Sequence, residues 1–475
     1  MTAGTLPDVT LLEIFDFYLE EGYDIELIDG WHGLVHVCRR WRNVVFSSPR
    51  RLNLQLLCKP GRPVTEMLNI WPELPVVVYY NRIPGMEETD NVIAALKLKG
   101  SVSKIDLTVN SRSELEPRAK WEKIAAVMQD PFPMLEDVAL QWHHPMTPVI
   151  SDSFLGGSAP CLRSLFLGGF VFPALQNLLL SATNLVYLCL WDIPNSGYIA
   201  PEAMVTNISV LTRLQSLSLW FRSPLARPDR ASQLLPPLTR TLLPSLILLD
   251  FKGVTEYLED LLAQIDVTSL ESTHVTFFNQ LVFDILQFPD LIRRTKMSEL
   301  LDQVDVILGK SSITAIFSPK GASTGSPMLE LKISCGTSDW QLSALAQVCN
   351  SCLPALPSLE CLRIRVSRYL SSHWEDDMEN TQWLELLHPF VTIKDLYLSK
   401  KVAPHVASAL QELSEGRVTE VLPALQSIFI DGLQTSGLVQ EVYQKFVSAR
   451  GRQVSSSPVA IRHWVREEED EDEEE

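Results

Sequence analysis

One pattern constrains this chain more than any other: an aliphatic residue, two residues, a second aliphatic residue, one residue, then a third. It runs through Leu135/Val138/Leu140, Leu162/Leu165/Leu167, Leu185/Leu188/Leu190, Leu214/Leu217/Leu219 and Leu246/Leu249/Phe251. It returns at Leu359/Leu362/Ile364, Ile393/Leu396/Leu398 and Leu425/Ile428/Ile430. The last two positions of each unit are two residues apart, which sends both side chains to one face of a strand. Successive units begin 27, 23, 29 and 32 residues apart through the middle, then 34 and 32 apart near the end. Weaker versions stand at Leu52 to Leu57, Val76 to Tyr80, Ile105 to Val109 and Leu329/Leu331/Ile333. From about 266 to 325 the phase is lost, and irregular repeats are expected there.

Amphipathic helices fill the intervals. Trp121, Ile124, Ala125 and Met128 share one helical face, and Pro131 ends that run. Leu342, Leu345, Ala346 and Cys349 repeat the spacing, as do Val439, Val442, Tyr443 and Phe446, with Gly451 the expected stop. A single strand–helix unit cannot bury its own apolar face, so neighbours must stack to form a core. The expected fold class is α/β: a leucine-rich-repeat-like curved solenoid over 51–465, its strands lining the concave side.

Residues 6–49 carry a different pattern. Pro7 and Asp8 suit the first turn of a helix, and Leu11, Ile14, Phe15, Tyr18 and Leu19 give it an apolar face. A polar insert (20–29) precedes a second apolar run from Trp31 through Leu34, Val35, Val37, Cys38, Trp41, Val44 and Val45 to Phe46. Some forty residues cannot enclose so many large apolar groups alone, so the module is expected to dock on something else.

The string Leu6-Pro7-Asp8-x-x-Leu11-Leu12-Glu13-Ile14-Phe15, followed by Val37-Cys38-Arg39-Arg40-Trp41-Arg42, resembles the F-box. It is similar in particular to the F-box that heads many fungal leucine-rich-repeat proteins, although the insert before Trp31 is longer than the usual connection. By motif, the resemblance covers about a tenth of the chain. It implies a helical module over 1–50 that binds a Skp-type adaptor and, through it, a cullin scaffold carrying a RING subunit. The repeats would then recruit an unknown protein substrate for ubiquitin transfer. By motif position it implies that Leu6, Pro7, Leu11, Ile14, Phe15, Val37, Cys38 and Trp41 face the adaptor or form the module's core. Two other readings stay open. The module can be a cap on the solenoid, or the whole chain an interaction scaffold without ubiquitin transfer.

Charge narrows the partners. Of the net −18, nine charges belong to the consecutive acids Glu467–Glu475, a tail (466–475) expected to be disordered and solubilising. No basic face is left for phosphate backbones, so no nucleic-acid partner is expected. No eighteen-residue stretch is free of polar interruption, and no membrane span is expected. The opening residues lack a signal-like apolar run, and the eight cysteines are scattered. Both point to a reducing compartment, cytoplasmic or nuclear.

Catalytic motifs fail one by one. Cys349 and Cys352 have C-x-x-C spacing, but a zinc site needs a second pair, and Cys349 lies on the Leu342 stripe. Two buried core cysteines are expected. Gly309-Lys310-Ser311 lacks the glycine that a phosphate loop requires five positions earlier, where Val304 stands. Neither His32/His36 nor His143/His144 has a partnering carboxylate pattern, and no G-x-S-x-G is present. No catalytic residue, metal or cofactor is expected, and the chain is read as a binding protein. Its candidate substrate contacts are outward strand aromatics: Tyr187, Trp191 and Trp220, with Phe166, Tyr397 and Phe429 in similar positions and Arg363 and Arg365 as a second choice. The alternative is that these aromatics stack on one another.

Overall fold

The computed structural model describes residues 6–20, 30–62, 64–71, 74–81, 86–110, 116–224, 239–295, 297–320, 328–334, 341–367, 378–413, 417–432, 438–453 and 459–464. Most of the insert after the first helix, and the acidic tail, lie outside them. The chain divides into two compact units, residues 1–198 with 210–214 and residues 199–209 with 215–475.

The first unit opens with α1 (Asp8–Glu20), α2 (Trp31–Val37) and α3 (Arg39–Ser47). Strands β1 (Leu56–Cys58), β2 (Val76–Tyr80), β3 (Val102–Asn110), β4 (Asp137–His143), β5 (Ser164–Gly168) and β6 (Tyr187–Ile193) follow. They pair in chain order, and every pairing is parallel. Parallel neighbours require a crossover connection, and helices at 64–70, 86–96, 116–127 and 175–181 provide most of these. The aliphatic pattern is the core: Val138, Leu140, Leu162, Leu165, Leu185, Leu188 and Leu190 are all buried. Helix 116–127 stops short of Pro131, and its end is closed by Leu155 N–H donating to the Met128 carbonyl at 2.7 Å.

The second unit contains β7 (Ser216–Phe221), β8 (Thr241–Leu242), β9 (Leu248–Gly253), β10 (Ile265–Asp266), β11 (Ser272–Phe278), β12 (Gln303–Leu308), β13 (Ser312–Ser318), β14 (Leu329–Ser334), β15 (Cys361–Val366), β16 (Asp395–Leu398), β17 (Ser427–Asp431) and β18 (Ala460–Trp464). β8 and β10 make a separate small pair, and the rest run in the order β7-β9-β11-β14-β13-β12-β15-β16-β17-β18. Helices at 201–208, 255–262, 341–352, 380–387, 403–411 and 438–453 alternate with strands of this unit. The chain is α/β, with parallel strands alternating with helices as in a leucine-rich-repeat-like array.

The stretch expected to hold irregular repeats holds something else. β12 and β13 form an antiparallel hairpin, and β13 pairs antiparallel with β14 as well. β14 then lies parallel to β11, and β12 parallel to β15. A reversing strand has no crossover helix, so the leucine phase breaks. Gly309 sits at the reversal, where its N–H donates to the Ser312 carbonyl at 2.8 Å. A Cβ there would come within 2.9 Å of that same oxygen, so the glycine belongs to a tight hairpin turn. A second expectation is also corrected. Helix 438–453 passes through Gly451 instead of stopping there. Buried Arg450 holds the last turn, donating to the carbonyls of Leu422 at 2.7 Å, Val421 at 3.3 Å and Pro423.

Candidate functional site

The N-terminal module is built on Trp31. Its ring is 1% exposed, edge-on to Trp71 at 5.1 Å and to Phe46 at 5.9 Å, and its indole N–H donates to the Gln55 carbonyl at 2.9 Å. Residues 55 and 71 belong to the first repeats, so the three helices are seated on them. Phe15 packs edge-on to Trp41 at 4.8 Å. Arg40 pairs with Asp8 at 2.7 Å and also donates to the Leu6 carbonyl, holding the start of α1 against α3. Cys38 caps α3 by accepting from the Trp41 N–H at 3.4 Å.

The eight residues singled out by motif divide into two groups. Leu11 and Phe15 are buried and belong to the module's core, one of the two places the motif allows them. Pro7, Ile14, Val37 and Cys38 are exposed, and Leu6 and Trp41 are half-buried. Periodicity places Ile14 and Tyr18 on one face with Leu11 and Phe15, yet they are 46% and 55% exposed. Three helices supply too little cover for the whole apolar surface of α1. The bare face also includes Val9 and Phe17, at 60% and 68%, which the motif did not mark. Their signal was composition alone, large apolar side chains in excess of what a forty-residue module can cover.

The outward strand positions differ between units. In the first unit Tyr187 is 53% exposed and Trp191 36%. Phe166 lies along its own strand, with its ring 3.1 Å from where a Cβ on Gly168 would stand. Two strands away in the same row, burial raises the Asp106 carboxyl above the ordinary carboxylate range, with Asp137 adding to the rise and Lys104 opposing it. In the second unit Trp220 is half-buried and engaged: Lys252 Nζ lies 5.6 Å from its ring centre and 5.8 Å from that of Phe278. Burial likewise raises Asp250, opposed by the Trp220 indole and by His274. Tyr397 and Phe429 stack at 4.3 Å with their planes 4° apart, flanked by Arg363 at 5.4 Å and Arg462 at 5.7 Å. Here the alternative reading of the outward aromatics, mutual stacking, describes what is found.

Cys349 and Cys352 are fully buried on helix 341–352, and burial pushes the Cys349 thiol up to about 12. Both behave as core side chains. Among the described residues no cluster of three or more His, Cys, Asp or Glu is placed to hold a metal, and no helix is long and apolar enough to cross a membrane.

No protein-family model matches the chain, and no curated protein matches it in sequence. Among solved structures it is similar to the leucine-rich repeat-containing protein LegL7 from Legionella pneumophila. The identity is 12%, covering 82% of this chain and 97% of that one, with a TM-score of 0.27, too low to bear on function. The repeat character therefore rests on this chain's own geometry: within each unit the strands that end the leucine patterns pair parallel with their neighbours, and the antiparallel β13 interrupts the series in the second unit.

Proposed function

We propose that this protein recruits other proteins to a cullin–RING ubiquitin ligase, its N-terminal module docking on a Skp-type adaptor and its repeats holding the substrate. The reading is supported by the bare face of α1. Val9, Ile14, Phe17 and Tyr18, together with Val37 at 59%, crowd large exposed apolar side chains onto one small module. Apolar patches of this kind mark interaction surfaces. The same module covers the first repeats through Trp31, so capping and docking use different faces and do not compete. The contribution to catalysis is proximity: a tethered substrate meets the transfer machinery at high effective concentration.

The test is Ile14→Lys combined with Phe17→Lys. Both positions are exposed, so the fold should persist. Recovery of adaptor on affinity purification should be lost, at about 2 kcal/mol or more for each hot-spot side chain. Undiminished recovery would end this reading. Ubiquitin conjugates on co-purifying proteins, present with the wild type and absent with the double variant, distinguish ligase recruitment from a scaffold that transfers no ubiquitin.

A further inference from the structure

A second bare apolar surface lies in the repeats. Leu281, Val282 and Leu286 are 79%, 71% and 68% exposed, and all three stand on the loop 279–286 that follows β11. This loop is held firmly. Phe283 and Ile285 are buried beneath it. The Thr255 N–H donates to Gln280 Oε1 at 3.0 Å, and the Phe283 N–H to Gln347 Oε1 at 3.4 Å. The Glu259 carboxylate accepts from the N–H groups of Leu286 at 2.8 Å and Phe288 at 3.0 Å. Inward Phe283 and Ile285 thus alternate with outward Val282 and Leu286, the two-residue period of an extended chain. The loop is anchored at both ends yet leaves its aliphatic side chains in water, at a cost of about 25 cal/mol per Å² of uncovered apolar surface.

A polar cleft of about 290 Å³ adjoins the loop, lined by Asn279, Gln280, Leu281, Ser343 and Gln347, with Glu379 at its side. The oxygens of Gln280 and Gln347 are already taken by the two backbone N–H groups above. An amide engaged through its oxygen presents its NH₂ group as a donor on the other side. A cleft set with amide donors calls for carbonyl acceptors, and an extended peptide offers one per residue. Charge adds a further requirement. Among the described residues no lysine or arginine lines the cleft, while Glu379 does, and Asp284 is exposed on the loop. Complementarity therefore favours a cationic partner.

We propose that the loop 279–286 and its glutamine cleft dock an extended, apolar and basic peptide segment of a recruited protein. Its aliphatic side chains cover Leu281, Val282 and Leu286, its carbonyls accept from Gln280 and Gln347, and its lysines or arginines face Asp284 and Glu379. The inference rests on reading the repeats as a recruiter of proteins.

The experiment uses the full chain with its adaptor and three capped, fluorescein-labelled ten-residue peptides: alternating Leu and Lys, alternating Leu and Glu, and alternating Ser and Lys. By anisotropy the Leu–Lys peptide should bind at least tenfold more tightly than either control. Leu281→Ser with Val282→Ser should weaken it by at least tenfold, and Gln347→Leu, a second variant, should weaken it several-fold. Equal binding of the three peptides, or no loss in the Leu281/Val282 variant, overturns the proposal. So does a wild-type dimer that becomes monomeric in that variant, which would assign the loop to a second copy of this chain. Adaptor recovery on the same samples keeps the two readings apart. Its absence with wild type counts against the adaptor reading alone, whereas adaptor bound without Leu–Lys selectivity counts against this site alone.

Discussion

The outward slot between the last two aliphatic residues of each repeat is filled differently in the two units. Across β2 to β6 it holds Tyr79, Asp106, Ala139, Phe166 and Cys189 in register. Across β15 to β18 it holds Arg363, Tyr397, Phe429 and Arg462. Neighbouring strands lie about 4.8 Å apart, a distance at which planar side chains in register can stack. Tyr397 and Phe429 do so, with a guanidinium on either side. Phe166, between Ala139 and Cys189, has no planar neighbour in its row and lies over Gly168. Whether an outward aromatic closes on itself or stays available therefore depends on what the next repeat brings to the same row.

The inward positions should not share this difference, and they carry the largest effect. Leu188→Ala in the first unit and Leu396→Ala in the second remove fully buried side chains. Each should cost about 2–5 kcal/mol in denaturant unfolding, by lost transfer energy plus a cavity. A cost well under 1 kcal/mol in either would show that the two cores are not built alike.

The outward rows should separate the units more modestly. A double-mutant cycle on Tyr397→Ala and Phe429→Ala should give a coupling of about 0.5–1.5 kcal/mol, the usual worth of an aromatic pair. The same cycle on Phe166→Ala and Cys189→Ala should give less than about 0.5 kcal/mol. Similar couplings for the two pairs would break the comparison.

The smallest effect is one the units share. Burial raises the carboxyl pKa of Asp106 in the first unit and of Asp250 in the second. The native state then binds protons more readily than the unfolded chain, so each group's contribution to stability falls as pH rises above about 4. Asp106→Asn and Asp250→Asn should each gain on the wild type in thermal melts taken from pH 4 to 7. A difference from wild type that does not change with pH would show that the carboxylates are not held in this way.

Ile14 and Phe15 show how far the docking module could be read from residues alone. They are adjacent and both apolar, and the motif marks both; packing buries one and leaves the other 46% exposed. Helical periodicity identifies an apolar face but not how much of it neighbours will cover. The loop at 281–286 was harder still. Leu281-Val282-Phe283-Asp284-Ile285-Leu286 has the composition of a buried segment, and three of its five aliphatic and aromatic side chains stand in water.

The sequence by itself determined the strands, their buried face and the alternation with helices. Those follow from a spacing of three and then two residues that acts within a single unit, through the geometry of the local backbone. Only the tertiary structure decided the order β11-β14-β13-β12-β15, the stacking of Tyr397 on Phe429, and which side chains of α1 and of the 279–286 loop remain uncovered. Each of these is a contact, or a missing contact, between residues far apart in the chain. Local periodicity fixes the direction in which a side chain points, but what it meets there depends on which distant segment the fold brings alongside.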